Sequence, residues 1–386
     1  VRILIVYDCL YPYTIGGGER WYRTLAERLA ADGHEVSYLT LRQWDRGTQA
    51  QLEGVRVRIA GPRMALYVDG RRRVGPPLVF GAGVLWHLLR HGRRYDVVHT
   101  ASFPYFSLLA AAVVRPLHRY ELVVDWFELW SRAYWRDYLG PVGGRVGWLV
   151  QKACLRVPQR AFALARMTAE RLRAEGVRGP VEVLTAIHAL PQATAQPRPA
   201  GPVVVFAGRH IPEKRVPALV DAFAALTERA PELRLVVFGD GPERAEVLRR
   251  IASHGLAETA RAPGFVDAAE LEDTLGQALC MVLPSRREGY GLVVVEAAAR
   301  GVPSVVVADP DNAATELVDE GVNGFVAASA SPEDLAAAIL RVRDAGPVLR
   351  ASTAAWFAAN ADRLSLDRSL DRVAAAYADP VRIARS

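Results

Sequence analysis

Residues 284–300, PSRREGYGLVVVEAAAR, carry two carboxylates eight positions apart. Glu288 lies in a glycine-bearing loop after an apolar strand, and Glu296 falls about a turn and a half inside the helix that follows. That helix is expected to begin near Gly291. The amides of Tyr290, Gly291 and Leu292 then lack partners within it and form a ready anion site. Two carboxylates flanking an anion site suit a ligand with phosphates in the middle and sugar hydroxyls on both sides. A carboxylate accepts from vicinal hydroxyls in pairs, so Glu296 suits a ribose diol and Glu288 a pyranose. The ligand class this describes is a nucleotide-sugar.

A second segment, 207–215 (AGRHIPEKR), places Gly208, Arg209 and Lys214 just beyond another apolar strand. Both cations can converge there on a diphosphate, through charge-assisted hydrogen bonds worth about 1.5–3 kcal/mol each. Of the 48 basic residues only Lys152 and Lys214 are lysine, so a compact ammonium retained at 214 is itself a hint of use. The run 238–242 (FGDGP) ends a further strand with Asp240 between two glycines, where backbone turns tightly or approaches a ligand. Gly264-Phe265-Val266 ends the next, and the backbone of Val266 is placed to read a base ring.

The elements that must hold these residues alternate from the first residue onward. Short apolar runs at 2–7, 35–41, 55–59, 96–99 and 121–125 read as strands buried on both faces. Helical stretches separate them, the first (19–31) following a loop with Gly16, Gly17 and Gly18 and closed by Gly33. Residues 190–202, with four prolines, break the pattern. A second series then starts, with strands at 203–207, 233–238, 280–284 and 303–307 and helices at 216–227 and 243–252 among others. The expectation is α/β: two doubly wound, Rossmann-like parallel-sheet domains facing each other across a cleft that holds the site. The boundaries expected are 1–190, a proline-rich linker at 191–202, and 203–355, with 356–386 as terminal helices.

Composition narrows the classes. At 386 residues with 51% hydrophobic and 23% charged residues, the chain is globular and long enough for about two domains. No apolar run approaches the ~18 residues of a membrane span, and 1–8 are too short an apolar stretch for a signal peptide. Three widely spaced cysteines exclude a disulfide framework and a Cys-only zinc site, and fit a reducing cytoplasm. Residues 1–190 hold 27 Lys+Arg against 16 Asp+Glu (+11), and the remainder 21 against 26 (−5). A basic first half draws anions, and peripheral contact at the inner face of a membrane stays open. No nucleic-acid recognition module is present.

These residues resemble family 4 glycosyltransferases of the GT-B fold. The resemblance rests on the Glu288-x7-Glu296 pair, Gly208-Arg209 with Glu213-Lys214, Gly239-Asp240-Gly241, Asn323-Gly324-Phe325 and the glycine loop 16–18. It runs nearly without a break from 203 to about 339 and is looser before that. It implies transfer of a sugar from a nucleotide donor (a UDP-, GDP- or dTDP-sugar) with retention at the anomeric carbon, with no cofactor and no bound metal. It also implies that the last helices, near 356–377, cross back onto the first domain. Residue by residue, Glu288 would hold the donor sugar and Glu296 the ribose. Arg209 and Lys214 would neutralise the leaving diphosphate, and the 290–292 amides would cap it. Gly17 and Gly18 would let the first domain's backbone close on donor and acceptor. The leaving phosphate is the family's base, so no protein nucleophile is required.

One position departs. Where many members carry a His in a Trp-His-Glu context, this chain has Phe127 between Trp126 and Glu128. Phe neither donates a hydrogen bond nor moves a proton. Either Asp125 or Glu128 takes over, or the donor lacks the contacted hydroxyl, or the protein binds without catalysing. Asp125 is carried as a catalytic candidate, and His99 is more readily a strand-end hydrogen bond. The aromatic stretch Trp126, Trp130, Tyr134, Trp135, Tyr138 and Trp148, with Arg132, Arg136 and Arg145, reads as core packing, as an acceptor platform, or as interfacial membrane docking aided by Arg71, Arg72 and Arg73. Trp126, Glu128 and Trp130 are the acceptor candidates. The rivals to a transferase are a silent nucleotide-sugar binder or scaffold, and an epimerase or phosphorylase of the same fold. Donor base, sugar, acceptor, linkage and oligomeric state are not legible.

Overall fold

In the computed structural model the described residues are 1–14, 16–45, 47–48, 50–68, 71–186 and 197–378, without the side chains of 67–68 and 71–72. They form two compact units, Val1–Ala189 with Ser365–Ser386, and Leu190–Leu364.

The first unit is built on a seven-stranded, wholly parallel sheet. Its order is Val55–Gly61, Glu35–Leu41, Arg2–Val6, Val97–Ala101, Glu121–Trp126, Arg160–Ala163 and Val181–Val183. The central strands are apolar on both faces because helices cover both, and Ile3, Leu4, Ile5, Val98 and Val124 are completely buried. Chain order reverses between Arg2–Val6 and Val97–Ala101, the switch point of a doubly wound sheet. Right-handed crossovers therefore put the helix Gly17–Ala31 on one face. The helices Gly75–His91, Tyr105–His118 and Arg132–Leu155 go on the other. Gly33 ends the first helix in the left-handed region (φ 86°), as the sequence suggests.

The second unit holds a six-stranded parallel sheet. Its order is Ala260–Gly264, Arg234–Phe238, Val203–Ala207, Cys280–Leu283, Ser304–Val307 and Gly324–Ala327. The GT-B fold class expected from the sequence is thus realised as two Rossmann-like parallel-sheet units. Within the two main sheets three strands escape sequence reasoning: Arg160–Ala163, Val181–Val183 and Gly324–Ala327. Each is short, and their alanine, glutamate and glycine carry little strand preference.

The expected boundaries shift. Half of the 191–202 linker, residues 191–196, lies outside the described residues. The terminal segment was expected to start at 356, yet the helix Pro332–Asn360 continues through that point. Trp356 is buried there and donates its indole N–H to Asp319 Oδ2 at 2.5 Å. Arg350, two turns earlier, donates to the carbonyls of Ala278 (2.7 Å) and Gly276 (2.5 Å). These contacts hold 356–364 in the second unit, and only Ser365 onward joins the first. The closing helix Leu366–Ala378 packs on Gly17–Ala31, with Arg28 bridging Asp367 and Asp371 at 3.0 Å each.

Candidate active site

Parallel pairing brings the carboxyl ends of all strands in the second sheet to one edge, and the site residues of that unit collect there. Three loops are knitted by backbone hydrogen bonds. Gly208 N–H donates to Phe238 O (3.2 Å), Gly239 N–H to Gly264 O (2.8 Å) and His210 N–H to Asp240 O (2.9 Å). Gly239 is obligatory: at φ 107° an added Cβ would stand 1.9 Å from the carbonyl oxygen of Gly208. This knitting sets Arg209, Asp240 and Val266 along one rim. Arg209 is exposed and has no ion-pair partner among the described residues. Asp240 turns its own loop by accepting from Gly241 N–H at 2.7 Å.

Beside them lies the strongest electrostatic feature of the unit. Glu288 Oε1 pairs with Lys214 Nζ and accepts from Ser285 Oγ at 3.0 Å. The two charged side chains are largely buried, at 18% and 11% exposure. The sequence suggests a sugar role for Glu288 and a diphosphate role for Lys214, but here the two act as one dipolar unit. Two turns of supporting structure fix it. Residues Arg287–Glu288 form a two-residue parallel pair with Asp311–Asn312. The buried Asn312 donates to Ser285 O (3.2 Å) and Val307 O (2.8 Å) and accepts from Ala314 N–H (3.1 Å). Sequence reasoning missed both Ser285 and Asn312. We predict that Asn312→Ala lowers stability by about 1–3 kcal/mol, because it strands buried backbone groups. Urea denaturation followed by fluorescence checks this, and an unchanged midpoint would remove Asn312 from its clamping role.

The helix Leu292–Ala299 starts where expected. Its N-cap, Gly291, has φ 95°, and an added Cβ would lie 2.6 Å from Ala314 Cβ, so only glycine brings the helix start this close. The amides of Tyr290, Gly291 and Leu292 sit at this positive terminus. Tyr290 is buried, which raises its phenol well above the ordinary value, so it serves as a neutral packing group. Glu296 is the fifth residue of the helix and half-buried.

The first unit treats its candidates differently. Asp125 is buried with both oxygens engaged: Oδ2 accepts from Trp21 Nε1 and Oδ1 lies against His99 Nε2, each at 2.8 Å. His99 Nδ1 is in turn 2.6 Å from the Tyr377 hydroxyl on the closing helix. A carboxylate so enclosed is a structural hub, which corrects the expectation of a catalytic Asp125. Burial, reinforced by the Asp125 charge, holds the phenol of Tyr22 well above the ordinary range. Trp126 is also corrected: it is fully buried and donates its indole N–H to Gln159 Oε1 at 2.9 Å, so it cannot face an acceptor. Glu128 and Trp130 are half-buried and bonded to each other (2.9 Å), and Trp130 stacks in a cluster with Phe103, Tyr134, Trp135 and Tyr138. Core packing is therefore the role of most of that aromatic stretch. Gly17 and Gly18 open the first helix rather than precede it. Gly18 packs against Tyr7 and Phe127, where an added Cβ would come within 2.6 Å of the Tyr7 hydroxyl. Phe127 fills space against Gly18 and Tyr22.

Sequence models of two glycosyltransferase families divide this chain between them. The one described as Glycosyltransferase Family 4 matches residues 15–185, and the one described as Glycosyl transferases group 1 matches 192–353. The chain belongs to the family 4 glycosyltransferases. The α-D-kanosaminyltransferase of Streptomyces kanamyceticus is 31% identical over 46% of this chain, and the match takes in 45% of that protein's own length. A glycogen synthase of Mycobacterium tuberculosis is 27% identical over 96% of this chain and 91% of its own. The Anabaena protein HepE, crystallised with UDP and glucose, superposes with a TM-score of 0.72 at 19% identity, over 98% of this chain and 99% of that one. Within this glycosyltransferase, the second family model spans every candidate residue from Gly208 to Glu296.

Proposed function

We propose that this glycosyltransferase moves a hexose from a nucleoside diphosphate sugar to an acceptor, with retention at the anomeric carbon and without a bound metal. The Lys214–Glu288 pair set beside the Leu292–Ala299 helix start, with Arg209, which has no ion-pair partner among the described residues, on the same sheet edge, carries this reading. Arg209 and Lys214 offset charge building on the diphosphate as the glycosidic bond breaks, and the 290–292 amides cap it. Such stabilisation is usually the largest catalytic contribution. The leaving phosphate takes the acceptor proton, so the enclosure of Asp125 removes no necessary base. Glu288 receives the sugar hydroxyls and Glu296 the ribose. Among the nucleotides we favour UDP, because HepE, one of the structural neighbours, is crystallised with it.

Melting of the purified protein against UDP, GDP, dTDP, ADP and CMP tests the reading. At a hundredfold excess over Kd, a ligand stabilises by about 2.7 kcal/mol. UDP is expected to raise Tm most, and its hexose derivatives to hydrolyse slowly without acceptor. A response to none of the five would overturn the donor site. Binding with no turnover of any sugar derivative would favour a silent binder.

A further inference from the structure

We propose that the face of the first unit formed by the helices Gly75–His91, Tyr105–His118 and Arg132–Leu155 docks on an anionic lipid membrane. These three helices lie on the same side of the sheet, and the middle one packs against both others. Their inner positions are spent on the core: Phe80, Val84, Leu88, Leu108, Ala111 and Val114 are buried. Their outer positions should then be polar, and they are not. Trp86 is 58% exposed, Val113 70%, Leu117 63% and Val142 78%, with Leu89 and Val146 also exposed. Of the seventeen large apolar side chains exposed among the described residues, ten fall between 74 and 149. That concentration is what distinguishes a patch from ordinary scatter.

The charge around the patch is predominantly positive. The helices Gly75–His91 and Tyr105–His118 contain no Asp or Glu. From 73 to 119 the arginines 73, 90, 93, 94, 115 and 119 face a single acid, Asp96, which is already paired with Arg2 at 2.6 Å. The third helix adds exposed Arg136 and Arg145 and one acid, Asp137, which is paired with Arg136 at 4.0 Å. Arg90 sits 3.7 Å above the ring of Trp86, so a cation and an amphipathic aromatic occupy one spot. Apolar side chains that enter an acyl layer, fringed by arginines that reach phosphates, are what an anionic bilayer surface complements. Among the described residues no helix is long and apolar enough to cross a membrane, so the contact proposed is peripheral.

Co-sedimentation with vesicles of phosphatidylcholine, with and without phosphatidylglycerol, tests the proposal. Binding is expected to the phosphatidylglycerol vesicles, at least about tenfold weaker to phosphatidylcholine alone, and to fall as salt is raised. The triple variant Trp86→Ser, Leu117→Asp, Val146→Asp should bind at least about tenfold less, with unchanged Tm and unchanged UDP response. Glycerophosphoglycerol or inorganic phosphate at millimolar concentration should not displace the protein. Displacement would make the surface a free-phosphate site and overturn membrane docking. Equal binding by the triple variant, no binding to either vesicle, or a lipid-free dimer that the triple variant dissolves would overturn it as well.

Discussion

Glu288→Gln is expected to lower turnover by about 10²–10³-fold, the range seen when one preorganised group is removed from a site of charge development. Nucleoside diphosphate affinity should change by less than about threefold, under 1 kcal/mol. Gln keeps the shape and can still accept from Ser285 Oγ, so the loop Arg287–Glu288 with Asp311–Asn312 should hold. What is lost is charge. Oε1 is committed to Lys214 and Ser285, which leaves Oε2 to accept from a sugar hydroxyl. Lys214 then loses the counter-charge that fixes its direction. Because the pair retains some exposure, water compensates the freed ammonium and the fold should survive. Glu296→Ala is expected to act in the opposite sense, weakening nucleoside diphosphate binding through the ribose. Steady-state kinetics of each variant, set beside calorimetric titration with the diphosphate, separate the two roles. Intact turnover in Glu288→Gln would show that this carboxylate does not serve the sugar.

The groups that carry charge were readable because charge has few reasons to sit at a strand's carboxyl end. Arg209 adjoins Gly208 and Glu288 adjoins Gly289, each a few positions after a short apolar strand, and Lys214 and Glu296 follow in the same two segments. The supporting groups leave no such trace. Asn312 bonds to the carbonyl of Ser285, 27 positions away, and that meeting depends on how two loops fold. Trp126 misled for a related reason. It ends a parallel strand covered on both faces, so its side chain is buried although it adjoins a functional motif. Asp125 misled because an acid at a strand end looks available, whereas three residues from other elements enclose it. The boundary near 356 was placed too early because Trp356 gives no sign in sequence of which unit will bury it.

Asp125→Ala is expected to cost about 3–5 kcal/mol, the loss typical when one member of a buried charged network is removed, and to lower Tm by on the order of 10 °C. The variant leaves Trp21 Nε1, a donor only, and His99 Nε2 unpaired in a site without water access. Asp125→Asn should be far milder, near 1 kcal/mol. Its carbonyl can take the Trp21 N–H while its NH₂ faces His99. His99 then needs its acceptor nitrogen at Nε2 and its proton at Nδ1, toward the Tyr377 hydroxyl. That hydroxyl both donates and accepts, so the imidazole can change tautomer at little cost. Tyr377→Phe should fall between, at about 1–2 kcal/mol, and combined with Asp125→Asn it should exceed the sum because His99 loses its freedom to switch. Chemical denaturation of the four variants tests the scheme. A wild-type melt for Asp125→Ala with activity abolished would return Asp125 to the catalytic residues. Equal losses in Asn and Ala would mean that the carboxylate's charge holds the network, not its hydrogen bonds. Because Trp21 lies in the opening turns of the helix that starts at Gly17, either outcome also measures how firmly the amides of Gly17 and Gly18 are placed.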